Sequence, residues 1–208
     1  MEENNYYESR YTFDEGRKKV WKAICEYLNK FITENDVIVD VGAGYCDFIN
    51  QIDAKNKIAI DTNTESGKFC DKDVDFYPSF ESFLATKRNV DVFFMSNLLE
   101  HLTDSEAQSL LSSVLNSLNK GGKLIIIQPN YYYAYREYWD DYTHIKAYSH
   151  TSLTDLLKSA GFKIEKCEKR FLPFTMKSLL PKTYFLTKLF LSLPISPFAK
   201  QMLIVAYK

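Results

Sequence analysis

Apolar and polar positions follow two periods along this chain. Val20, Trp21, Ile24, Tyr27, Leu28 and Phe31 recur at helical spacing, and Thr12-Phe13-Asp14-Glu15 ahead of them has the spacing of a capping box. Val37-Ile38-Val39-Asp40-Val41 is β-branched and runs into Gly42, which suits a strand buried on both faces. Residues 57–61 and 90–95 repeat that character, and 46–52 reads as a short helix between the first two strands. Thr103 with Glu106 forms a second capping box. Behind it Ala107, Leu110, Leu111, Val114, Leu115 and Leu118 make one apolar stripe, which Gly121-Gly122 is predicted to stop. Residues 123–127 read as a strand, 152–160 as a helix ended by Gly161, and 162–165 and 202–207 as closing strands. Buried strands alternating with helices predict an α/β fold, a doubly wound and mostly parallel sheet with helices on both faces.

Length and charge narrow the picture. At 208 residues the chain supports one core with both sheet faces covered, hence one domain. Within it 1–34 is a helical cap, 35–170 the ligand-binding core, 171–199 a lid or interface segment and 200–208 the final strand. A net charge of −1 provides no broad positive field for a phosphate backbone, so no nucleic-acid partner is expected. The first ten residues are acidic and polar, and no apolar run approaches the roughly 18 residues of a spanning helix, which makes the cytoplasm the expected address. Cys25, Cys46, Cys70 and Cys167 lie far apart with no C-x-x-C pair. That spacing signals neither a zinc site nor a disulfide framework, and all four are read as reduced thiols.

The stretch Val-Ile-Val-Asp-Val-Gly-Ala-Gly-Tyr-Cys puts Gly42 and Gly44 at the carboxyl end of the first strand, where open α/β sheets bind ligands. About twenty residues on, Asp61 ends the second strand, at the right distance for a carboxylate that accepts both hydroxyl hydrogens of a ribose. A dinucleotide fingerprint counted from Gly42 requires glycine where Asp47 stands, and an acid there opposes pyrophosphate. A phosphate-free nucleoside with a cationic sulfonium, S-adenosylmethionine, tolerates it.

These motifs resemble those of class I S-adenosylmethionine-dependent methyltransferases. VDVGAGYC looks like their motif I, AIDTN like the ribose-binding strand end, and VDVFFMSNLLEHL like the fourth-strand motif of the branch that includes ubiquinone-type O-methyltransferases. The segments GGKLIIIQPNYYYAYREYWDDYTHIKAYSHTSL and FLPFTMKSLLP resemble uncharacterised bacterial methyltransferases associated with sugar and glycolipid assembly. The resemblance implies a seven-stranded Rossmann-like methyltransferase fold, with S-adenosylmethionine as cofactor and S-adenosylhomocysteine as its product. It also implies that Asp40, Gly42, Ala43, Gly44 and Tyr45 line the methionine end of the cofactor and that Asp61 and Thr62 hold the ribose. Asn97 with Leu98 would lie near the sulfonium and Ser79 and Phe80 near adenine, while Arg10 and Tyr11 fold over the cofactor. Cys46 departs from the motif, which has its last glycine there.

Methyl transfer to an alcohol needs alignment and a base. His144, after the Trp139-Asp-Asp-Tyr-Thr loop, is the preferred base, followed by His101 beside Glu100, while His150 reads as structural or exposed. Tyr133, Tyr135, Arg136 and Trp139 are the expected acceptor wall, with rings for a sugar and a guanidinium for a phosphate or carboxylate. The acceptor is expected to be a small molecule or a lipid-linked sugar, and 171–199 a lid, a dimer surface or a peripheral membrane contact. Two other readings stay open. One is a non-catalytic cofactor-binding partner subunit. The other is a metal-assisted RNA 2′-O-methyltransferase, because Glu100-His101 with His144 resembles the E-x-x-E-H plus His ligands of small-RNA enzymes. Asn97 replaces the first glutamate of that set, which weakens a hard-cation site, and no metal is expected although the remaining groups could bind one.

Overall fold

A computed structural model describes residues 15–173, 183–193, 196 and 198–208. In chain order the elements are α1 (Glu15–Leu28), β1 (Val37–Val41), β2 (Asn56–Ile60), β3 (Val74–Tyr77), α2 (Phe80–Leu84), β4 (Val90–Ser96), α3 (Asp104–Ser117), β5 (Leu118–Pro129), α4 (Tyr131–Ala134), α5 (His150–Ser159), β6 (Lys163–Pro173), α6 (Tyr184–Ser192) and β7 (Ala199–Tyr207). Short 3-10 helices span Thr64–Phe69, Leu99–His101 and Tyr138–Asp140.

The seven strands form one sheet in the order β3-β2-β1-β4-β5-β7-β6. Pairings from β3 to β5 are parallel, and β7 inserts antiparallel between β5 and β6. One face packs Leu111, Val114, Leu153 and Leu157 of α3 and α5 against Phe93, Leu124 and Ile126. The other packs Trp21, Ile24 and Leu28 of α1, with Phe48 and Ile49, against Phe94, Ile125 and Val205. The buried β-branched runs therefore become strands covered on both sides, as their composition demands.

The chain leaves β1 toward β2 and β3 and then crosses to β4 on the other side of β1. The crevice between the carboxyl ends of β1 and β4 is thus the place where strand order reverses, the usual ligand position of such sheets.

Several local expectations change. Residues 46–52 form consecutive turns rather than a helix, with Asn50 N–H donating to the Cys46 carbonyl and Gln51 and Ile52 N–H to that of Phe48. The helix α3 is not stopped by Gly121-Gly122. It ends at Ser117, and Leu118 already pairs with Val90, because the buried β4 edge offers hydrogen bonds there before the glycines are reached. The helix α5 begins two residues earlier than its apolar pattern suggests, since the Ser149 hydroxyl caps Ser152 N–H. The strand β6 runs on to Pro173, into the segment read as lid. Thr12, Phe13 and Asp14 lie outside the described residues, as does 174–182 of that segment. The helix α6, which is described, packs on α1, where Tyr184 and Lys188 both reach Glu26. Among the described residues no helix is long and apolar enough to cross a membrane.

Candidate active site

Gly42 and Gly44 turn the chain at the end of β1 with φ of +75° and +53°. In this left-handed region a side chain is strained, which is why the motif has glycine. Gly42 and Ala43 N–H both donate to the Ile60 carbonyl at 2.8 and 3.1 Å, holding the turn over the end of β2. A Cβ on Gly42 would stand 3.1 Å from Leu98 Cδ1, so the β1 and β4 loops touch there. Among the described residues a Cβ on Gly44 would meet nothing within 4 Å.

Asp61 follows β2 and is nearly buried. Its Oδ2 accepts Gly44 N–H at 2.7 Å and its Oδ1 accepts Asn63 N–H at 2.8 Å. Thr62 beside it is exposed. Asp40 lies beneath the loop at 3% exposure, and burial first, then the nearby Asp61 carboxylate, pushes its carboxyl well above the usual range. Tyr45 rests edge-on against Phe69 at 4.7 Å. Asp47, whose charge argued against pyrophosphate, is paired with Arg17 of α1 at 2.6 Å.

Asn97 follows β4 in the left-handed region (φ +51°), and its Oδ1 accepts a hydrogen bond from Gln201 Nε2 at 3.3 Å. Ser79 is the N-cap of α2, where its hydroxyl accepts Ser82 N–H. Phe80 packs on Phe83 and Phe93. Arg10 and Tyr11 lie outside the described residues.

The three expected catalytic residues come together although Glu100 and His101 lie more than 40 positions before His144 in the chain. The Glu100 carbonyl accepts Ile145 and Lys146 N–H at 2.9 and 3.1 Å, which pins the 144 loop to the turn after β4. The His101 and His144 rings then lie 4.9 Å apart, and the donor atoms of Glu100, His101 and His144 all fall within 4.8 Å of one another. His144 Nδ1 sits 2.6 Å from the Tyr138 carbonyl. A carbonyl only accepts, so Nδ1 carries the proton and Nε2 the lone pair. His101 Nδ1 sits 3.2 Å from the Thr143 carbonyl, which assigns its proton in the same way. Burial lowers the His101 pKa below the usual histidine range. Glu100 is wholly buried, neither of its carboxylate oxygens has a hydrogen-bond partner among the described residues, and burial pushes it up to about 8.

The aromatic segment divides. Tyr138 is fully buried and donates to the Lys146 carbonyl at 2.6 Å, so it is core rather than wall. Tyr135 and Trp139 are half exposed, and Arg136 Nε donates to the Tyr135 hydroxyl at 3.2 Å. Tyr133 stacks on His150 and carries the Arg170 guanidinium 4.1 Å above its ring. Arg170 escaped the sequence analysis, since only the β6 to β7 pairing brings it near. Gln201 escaped for the same reason. The turn Asp141-x-Thr143, in which Asp141 Oδ1 accepts the Thr143 N–H and hydroxyl and Thr143 meets His101, was readable as an Asx turn.

Comparisons with known proteins agree with this architecture. A family model described as a methyltransferase domain matches residues 13–166. Among solved structures, a SAM-dependent methyltransferase of Archaeoglobus fulgidus aligns with a TM-score of 0.70 at 19% identity, covering 99% of each chain. One of Thermotoga maritima gives 0.69 at 18%, covering 99% of this chain and 96% of that one. The plantazolicin methyltransferase, in complex with a monoazolic desmethyl analogue and S-adenosylhomocysteine, gives 0.64 at 16%, covering 99% and 88%. A search of curated proteins gives no significant match. The family match spans most of the chain, and with the strand order and the glycine turn it leads to one conclusion: this chain belongs to the methyltransferase-domain family, with the fold of the class I enzymes whose methyl donor is S-adenosylmethionine.

Proposed function

We propose that this protein methylates a hydroxyl of a small polar acceptor, such as a sugar, a glycolipid intermediate or a similar metabolite, with His144 as general base. S-adenosylmethionine supplies the methyl group on a sulfonium. In this reading Gly42, Ala43, Gly44 and Tyr45 receive its methionine end, Asp61 and Thr62 its ribose, and Asn97 and Leu98 border the sulfonium. Ser79 and Phe80 flank the adenine. The observation that carries the base assignment is the 2.6 Å contact from His144 Nδ1 to the Tyr138 carbonyl. It fixes the tautomer whose Nε2 accepts a proton, and a base so oriented contributes about 10²–10⁴ in rate. Exposed Tyr135 and Trp139, with Arg136, supply rings and a cation for the acceptor.

Transfer of labelled methyl from S-adenosylmethionine into a metabolite extract, followed by identification of the product, tests the proposal. A product methylated on oxygen is expected. Intact S-adenosylhomocysteine binding without transfer into any extract would favour the non-catalytic partner subunit.

A second reading has its own observation. Glu100, His101 and His144 offer one carboxylate and two imidazole lone pairs within 4.8 Å, and the Glu100 oxygens are buried without a partner. Such a donor set suits a divalent ion, which would supply Lewis-acid activation of the acceptor in place of proton removal by His144.

A further inference from the structure

The last glycine of the motif is replaced here, and the replacement brings two sulfurs together. Cys46 adopts φ +57°, the conformation a glycine would take, and its side chain turns into the core, where it is wholly buried. Its Sγ lies 3.2 Å from Cys70 Sγ and 3.5 Å from the Ser66 carbonyl. Cys70 closes the 3-10 helix Thr64–Phe69, which begins three residues after Asp61. Asn50 holds the two segments in register on either side of Cys70, donating to the Phe69 carbonyl at 2.7 Å and accepting from Asp71 N–H at 3.0 Å. Tyr45 against Phe69 adds an edge-on aromatic contact. The thiols are thus neighbours held by the fold.

We propose that Cys46 and Cys70 are a modification site at which a low-molecular-weight disulfide links the two sulfurs, and that the linked protein loses affinity for S-adenosylmethionine.

The order of events follows from exposure and charge. Cys70 is half buried and within reach of a small oxidant, whereas Cys46 is sealed. Cys70, the accessible member of the pair, ionises first, and donation from the neighbouring Cys46 thiol lowers it below its usual value. Its thiolate attacks one sulfur of the oxidant RSSR, the oxidant's S–S bond breaks, and one RSH leaves with the proton given up by Cys70. Cys46 then attacks the Cys70 sulfur of the mixed disulfide, expels a second RSH carrying the Cys46 proton, and closes the bond. Two thiols lose two electrons and one RSSR becomes two RSH. Removing the Cys70 thiolate in the first step also removes the partner whose hydrogen bond and charge raise the Cys46 pKa.

Bond formation draws the sulfurs from 3.2 Å to about 2 Å. Cys46 is two residues from Gly44, whose N–H holds Asp61 at 2.7 Å. A shift of about 1 Å shared between the glycine turn and the segment after Asp61 misaligns both sides of the cofactor site, and such shifts cost on the order of fivefold or more.

The test uses the full-length chain, reduced and after incubation with glutathione disulfide. Mass spectrometry with peptide mapping reads the linkage, and calorimetry reads S-adenosylhomocysteine binding. We expect a loss of about 2 Da, with Cys46 joined to Cys70, and affinity weakened about fivefold or more, restored by dithiothreitol. Cys70→Ser, with Cys70→Ala as a second variant, should bind like the reduced protein before and after oxidant. Free thiols or a persistent mixed disulfide on Cys70 would overturn the proposal. So would a linked chain whose affinity changes by less than about fivefold. Failure of the reduced protein to bind S-adenosylhomocysteine would instead count against the assigned cofactor site and against any control of it by these thiols.

Discussion

The backbone N–H of Gly44 donates to Asp61 Oδ2 at 2.7 Å, tying the turn after β1 to the carboxylate after β2. In the proposed reading, one acidic side chain thereby shapes the methionine end of the site and holds the ribose. Asp61→Ala removes both functions. A charge-assisted hydrogen bond contributes about 1.5–3 kcal/mol, so affinity for S-adenosylhomocysteine should fall roughly 10- to 100-fold by calorimetry. Binding within twofold of the parent would remove Asp61 from the site.

Gly42 and Gly44 both have positive φ, but among the described residues only Gly42 has a neighbour in the way, the Leu98 side chain. Gly42→Ala should therefore cost more stability than Gly44→Ala. Backbone strain of about 1–3 kcal/mol, at about 2–4 °C per kcal/mol for a chain of this size, lowers the melting temperature by several degrees. Relief of the extra loss by Leu98→Ala in the Gly42→Ala background is the expected signature of the contact. Equal melting temperatures for the two single variants would contradict it.

Asp40 carries a pH dependence whose sign can be stated. Burial raises its folded pKa above the usual 3.8, so the folded state holds the proton more tightly than the unfolded chain. Its contribution to stability is full below about 3.8 and is lost as pH rises toward the folded value. Asparagine does not titrate. The stability of Asp40→Asn minus that of the parent should therefore increase from pH 4 to pH 7 in denaturant titrations. A difference that stays flat or decreases would show that Asp40 is charged in the fold.

His144 and the divalent-ion reading separate cleanly. If His144 is the base, His144→Ala lowers kcat by about 10²–10⁴ with S-adenosylhomocysteine affinity unchanged, and prior dialysis against a chelator leaves the parent's activity intact. If an ion is held, chelation abolishes activity, readdition of metal restores it, and Glu100→Gln weakens metal binding. Without an ion, Glu100→Met should be neutral or stabilising, because it replaces a buried carboxyl that has no hydrogen-bond partner with an apolar side chain of similar length.

Much of this protein is written in short stretches of chain. The β-branched runs, the Thr103 capping box and the spacing of Gly42, Gly44 and Asp61 each depend on neighbours within a few residues or on a strand-to-strand distance that the α/β pattern repeats, so the fold and the cofactor motif are legible before folding. Local patterns err where a tertiary edge competes. Leu118 leaves α3 for β4, and 46–52 stays in turns after a residue held at positive φ.

What the one-dimensional order could not contain is the meeting of distant groups. His101 with His144 depends on the Glu100 carbonyl capturing two N–H groups of a remote loop, and Arg170 and Gln201 arrive only because β7 inserts antiparallel beside β5. Cys46 and Cys70, 24 residues apart and without any sequence signature of a pair, touch because Asn50 clamps one segment to the other. Sequence determines which groups exist and which local conformations they prefer. Hydrogen bonds formed across the sheet and between loops decide which of them share a site.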